Sequence, residues 1–162
     1  AKLMWNAEHN MRSIVCDFCY AFYGPGATEM QRYLFALEDA VKTGNTSLNI
    51  WGSLKPYSGG YLSDKKMSSY FSYVESALAK TKGKAAYKNV LKEYACLQYV
   101  DLQMIREAYA GNKKNILTQK QLDKKLEQFL KNAQESGVKL VSEAVLTPKE
   151  YIDRVRKEMI GR

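Results

Sequence analysis

The chain is poor in the residues from which metal and redox sites are built. It has one histidine, His9, and three cysteines, Cys16, Cys19 and Cys96. A structural zinc site takes four nitrogen or sulfur ligands, so this set argues against one. Cys16 and Cys19 fall inside a helical pattern, whereas a redox Cys-x-x-Cys sits at a helix N-terminus where the dipole lowers the thiol pKa. They are expected as small buried apolar groups, and an odd number of cysteines does not form a secreted disulfide framework. Three prolines and ten glycines exclude collagen and long polyproline linkers. No apolar run approaches the ~18 residues of a membrane span. The opening AKLMWNAEHN lacks the basic and hydrophobic regions of a secretory leader. Dinucleotide-binding and phosphate-binding glycine motifs, His-Glu-x-x-His and Gly-x-Ser-x-Gly are also missing. No cofactor, metal or catalytic residue is expected from this inventory.

What is present is ordinary globular material. Hydrophobic residues make up 46% and charged residues 26% of 162, enough for one domain, 1–162, that buries about 70% of its unfolded surface. The chain starts without methionine and beside a hydrophobic cluster, so it is expected to be a mature form or a piece of a larger protein. The net charge is +8, but the basic residues are scattered, have acidic neighbours, and include more lysine than arginine. Bidentate phosphate and base contacts favour arginine, so nucleic acid is a weak expectation. The densest patches, Lys80–Lys88 and Lys113–Lys125, read as solvated helix ends and loops.

Hydrophobic spacing of three and four predicts helix after helix. Asn10 can cap a helix over 11–23, which Gly24-Pro25-Gly26 stops. A second runs from 27 to about 41. Ser63 or Asp64 can cap a third, to about 80, and Gly83 breaks it. The fourth, about 84–110, is apolar on more than one face and should pack on two sides. Thr118 with Gln121 forms a plausible capping box for a fifth, to about 136, and Thr147-Pro148-Lys149-Glu150 is the strongest helix start in the chain, opening a sixth to about 159. Residues 138–146 fit either a strand or a short helix. The expected fold is all-α: an irregular bundle of about six helices with one long aromatic-rich loop, 42–62.

That loop holds the best ligand candidates, Trp51, Tyr57 and Tyr61, because tyrosine and tryptophan combine flat apolar area with a polar tip. A carbohydrate-binding module built on them requires an exposed, coplanar arrangement. A basic module for nucleic acid or an acidic protein requires one contiguous lysine and arginine face. Paired acids such as Asp17 with Glu29, or Glu93 with Asp101, read as solvated faces rather than as a hydrolase pair. Asp101 is the exception: it interrupts a hydrophobic stretch and is expected to be paired inside the bundle.

The opening stretch also carries a family resemblance. Ala1-Lys2-Leu3-Met4-Trp5-Asn6, Asp17-Phe18-Cys19, Phe22-Tyr23-Gly24-Pro25-Gly26-Ala27, Met30 and Tyr33-Leu34 together resemble the C-terminal portion of the DUF4838 family. These are large, mostly bacterial proteins whose central region resembles the (β/α)8 barrels of α-glucuronidases and related glycoside hydrolases. The likeness covers residues 1–34; Leu97-Gln98-Tyr99-Val100-Asp101 resembles a later element less specifically. Ala7 stands where that family usually has proline, His9-Asn10 where acids are common, and Phe22-Tyr23 replaces a tyrosine pair. The resemblance implies a non-catalytic C-terminal helical domain of a carbohydrate-active protein, packed on an upstream barrel of the same polypeptide. It places Met4, Trp5 and Asn6 near the junction and no catalytic residue on this chain. It further implies polysaccharide or oligosaccharide as a partner and a periplasmic, cell-surface or secreted location. An exposed apolar strip around Met4, Trp5 and the first helix would point to a lost intramolecular interface rather than to a dimer.

Overall fold

The computed structural model describes residues 8, 10–44, 47, 52–111, 117–141 and 146–160. Helix α1 spans Met11–Tyr23, and the Asn10 side chain accepts hydrogen bonds from the amides of Arg12 and Ser13, as its N-cap position requires. Gly24–Gly26 forms a 3-10 turn, and Gly24 adopts a φ of 50° that favours glycine. Gly26 is needed for a different reason. A Cβ there would lie 3.0 Å from Thr81 Cγ2 and 3.2 Å from the Ala77 carbonyl oxygen, so its absence lets the turn press against a later helix. Helix α2 follows over Ala27–Thr43.

A second 3-10 turn, Lys55–Tyr57, leads into α3, Asp64–Thr81. Ser63 holds the N-cap position of α3 but its side chain makes no capping bond. Helix α4, Tyr87–Ala110, starts three residues later than the apolar pattern suggests. Residues 82–86 are instead turns, held by Lys84 N–H to the Thr81 carbonyl and Tyr87 N–H to the Lys84 carbonyl. Helix α5, Gln119–Ser136, has the complete Thr118/Gln121 capping box. It closes in a Schellman motif: Val138 N–H reaches the Ala133 carbonyl, Gly137 N–H reaches that of Gln134, and Gly137 has φ 79°. That motif turns Val138–Leu140 out of the helix. Val141 N–H then meets the Leu146 carbonyl at 2.9 Å, so the described part of 138–146 is a looped connection with one isolated bridge, neither strand nor helix. The Thr147/Glu150 box starts α6, Pro148–Ile160.

The described residues therefore form an all-α irregular bundle of six helices. Helix α4 is its axis, packing against α1, α3, α5, α6 and the second 3-10 turn. On one side Val90 and Leu97 join Cys19, Tyr23, Met30, Tyr70 and Val74 in a core shared by α1 to α4. On the other, Ala95 and Leu102 join Leu122, Leu126, Phe129, Tyr151 and Val155 in a core shared with α5 and α6. The two-sided apolar pattern of this helix has its reason here: it separates two cores. No helix among the described residues is long and apolar enough to cross a membrane.

Candidate functional site

Three helices each lend a stripe to one groove of about 410 Å³. Helix α3 contributes Phe71 and Glu75, one turn apart. Helix α4 contributes Tyr94, Gln98, Asp101 and Leu102. Leu117 and the α5 residues Gln121, Lys124, Lys125 and Gln128 form the far wall. The volume lies in the range of small-molecule sites, roughly 300–1,000 Å³.

The walls are cross-linked by hydrogen bonds. Tyr94 donates its hydroxyl to Glu75 Oε1 at 2.8 Å, and its ring meets Phe71 edge to face at 5.8 Å. Burial, the bond to Glu75 and the nearby Glu75 and Asp101 charges all push the Tyr94 hydroxyl pKa upward, so it stays protonated. Asp101 pairs with Lys125 Nζ at 2.7 Å, which is the expected pairing of that acid within the bundle. Gln98 is 9% exposed and accepts a hydrogen bond from Asn132 Nδ2 at 2.9 Å. Asn132 in turn accepts one from Gln128 Nε2 at 3.2 Å.

The loop candidates lie elsewhere. Tyr57 is buried and donates its hydroxyl to the Ser47 carbonyl. Tyr61 is half-buried, and its carbonyl accepts from the Tyr70 hydroxyl. The rings of Tyr57 and Tyr61 are inclined at 42° to each other, which is not a flat platform. Trp51, Met4, Trp5 and Asn6 lie outside the described residues. Tyr61 instead helps line a smaller, mostly apolar pocket of about 170 Å³ with Tyr33, Leu54 and Cys96.

What pins this loop was not visible in the sequence. Glu107 of α4 reaches across to its start, where its carboxylate accepts hydrogen bonds from Leu54 N–H at 3.1 Å, Lys55 N–H at 2.9 Å and Ser53 Oγ at 2.6 Å. It serves as an N-cap supplied from another helix. Nothing in the spacing around Glu107 signals this. Gln98 did leave a signal, since it falls on the apolar stripe Leu91, Ala95, Leu102 and so had to be buried and bonded.

The first helix shows the other notable surface. Met11 is 54%, Phe18 49% and Phe22 39% exposed, and with Ile14 and Val15 they share one face at spacings of three and four. The adjacent side, which carries the buried Cys19 and Tyr23, is anchored near both ends of the helix. Arg12 bonds Asp39 at 3.2 Å and stands over the Phe35 ring, while Asn89 Nδ2 donates to the Phe22 carbonyl at 2.8 Å.

The acid pairs do not converge. Asp17 is exposed on α1, while Glu29 is buried and bound to Lys80 at 2.5 Å. Glu93 accepts the Tyr23 hydroxyl, about 12 Å along α4 from Asp101. No group of three or more histidine, cysteine or acidic side chains suited to a metal ion occurs among the described residues. The cysteines there are free, and burial together with the neighbouring Cys16 pushes the Cys19 thiol up to about 11. Two cations of the basic patches are matched, Lys80 by Glu29 and Lys125 by Asp101, and outside them Arg156 pairs with Asp123. Compared with protein-family models, with curated proteins and with solved structures, the chain finds no match.

Proposed function

We propose that this chain is a non-catalytic helical domain of a larger carbohydrate-active protein, and that α1 packs against a barrel domain of the same polypeptide. The observation that carries the packing role is the Met11, Phe18 and Phe22 face. Large contiguous apolar patches on soluble domains mark interaction surfaces. This one sits on a helix whose adjacent side is tied to α2 and α4, so it is presented in a fixed orientation at low entropic cost. The sequence immediately before it, Leu3-Met4-Trp5, is also apolar, so the interface would continue toward the preceding domain. The carbohydrate assignment rests on the resemblance of residues 1–34.

The test is hydrogen exchange at α1 in the chain alone and in the longer polypeptide that carries the preceding domain. Slower exchange of the α1 amides in the longer polypeptide, abolished by Phe18→Ser with Phe22→Ser, is the expected result. Equal exchange in both, or a concentration-dependent dimer of the isolated chain lost in that double variant, would overturn the intramolecular reading.

A further inference from the structure

We propose that the groove between α3, α4 and α5 binds a neutral polyhydroxylated ring, a saccharide or a similar cyclic polyol. The inference is independent of the α1 interface and uses none of its residues.

The first argument is an uncommitted donor at the groove wall. Gln98 is nine-tenths buried, spends its carbonyl oxygen on Asn132, and lines the groove, while its amide NH2 donates no hydrogen bond among the described residues. That NH2 is not sealed off from solvent but opens onto the groove, where it is available to a ligand acceptor. Two neighbours are left half-used in complementary ways. Gln121 commits its oxygen to Thr118, which leaves its NH2 as a donor. Gln128 commits its NH2 to Asn132, which leaves its oxygen as an acceptor. The wall thus alternates donors and acceptors over a short distance. A hydroxyl both donates and accepts, so a ring bearing several satisfies such a wall where a group of one polarity cannot.

The second argument is charge. The lining holds two carboxylates, Glu75 and Asp101, and two lysines, Lys124 and Lys125, a balanced set in which Asp101 and Lys125 already neutralise each other. A simple cation or anion finds no net field to hold it. Glu75 remains as a charge-assisted acceptor for ligand hydroxyls. The third is shape: Phe71 and Leu117, both partly exposed, supply apolar surface for the C–H face of a ring.

The experiment titrates the full chain with D-glucose, D-galactose and D-xylose, and follows the Gln98 side-chain amide by isotope-edited NMR. At least one sugar should give a saturable shift with Kd of about 1 mM or tighter. Glu75→Gln, which keeps an acceptor for Tyr94, should weaken that binding about tenfold with an unchanged melting temperature. Lys149→Ala, an exposed change on α6, should leave it unaltered. A tetrasaccharide of the same sugar then separates the two sources of this chemistry, binding tighter than the monosaccharide if the ligand is a glycan chain and no tighter if it is a free ring. The proposal is overturned by no saturable shift at Gln98 up to about 100 mM of each sugar. It is equally overturned by saturable shifts confined to residues outside the groove, or by glycine or acetate displacing the Gln98 signal as strongly as any sugar.

Discussion

Removing the Glu107 carboxylate should detach the start of the 52–62 segment from α4. Three donors converge on it, at 2.6, 2.9 and 3.1 Å. Hydrogen bonds to charged groups contribute about 1.5–3 kcal/mol each in favourable sites. Ser53 and Lys55 are exposed and regain water when the carboxylate is lost, whereas the Leu54 bond is partly buried. Counting the two amide bonds near 1 kcal/mol each and Ser53 near zero, and allowing about 0.4 kcal/mol for the better helix propensity of alanine, Glu107→Ala should cost about 1.6 kcal/mol. For a domain of this size that is a fall in Tm of roughly 3–6 °C. Hydrogen exchange at Leu54 and Lys55 should accelerate, while α5 and α6, on the other side of α4, keep their protection. Glu107→Gln retains one acceptor and should lose about half as much. Ser53→Ala should cost less in the Glu107→Ala background than in wild type, because its bond to the carboxylate is already gone and only the Lys55 N–H bond to Ser53 Oγ, at 3.1 Å, is left to lose. An unchanged Tm together with unchanged exchange at Leu54 and Lys55 would refute the reasoning.

Other outcomes follow from particular contacts. Gly26→Val forces a side chain toward Thr81 Cγ2 and the Ala77 carbonyl, and should cost about 1–3 kcal/mol of overpacking, seen as a lower urea midpoint. Glu158 is subject to burial, which favours its neutral form, but its bonds to Arg106 and Arg154 outweigh this and hold its pKa below the usual range. Its contribution is therefore present above the ordinary glutamate pKa of about 4.3 and is lost as pH falls through the lower folded value. Urea midpoints across that window should converge for wild type and Glu158→Gln on acidification, and diverge as pH rises. In native protein a thiol reagent should modify exposed Cys96 well before Cys19, which is fully buried with its thiol pKa pushed up to about 11; mass spectrometry of the labelled peptides reads the order.

Local chemistry was legible in the residues themselves. Asn10, the Thr118/Gln121 and Thr147/Glu150 boxes, and Gly137 mark helix ends because the orphan amides and carbonyls there must be satisfied within a few residues. The two-sided pattern of α4 likewise announced a central helix. The start of α4 was less legible, since no capping side chain marks residues 82–86 and the apolar spacing runs through them. Asp101 signalled pairing but not its partner, which comes from α5, 24 residues away, and the bond of Gln98 to Asn132, 34 residues on, was not read from the sequence.

The sequence by itself thus determined an all-α chain, its helix boundaries to within a few residues, and which side of each helix is apolar. Those properties are set by interactions between near neighbours. Tertiary structure alone decided that Tyr57 turns inward, that Glu107 caps a turn more than fifty residues away, and that three helices leave a groove with Gln98 facing it. It also decided that the α1 face bearing Met11, Phe18 and Phe22 stays uncovered. An apolar stripe states only that a face is suited to burial; whether another element reaches it depends on how all the helices pack.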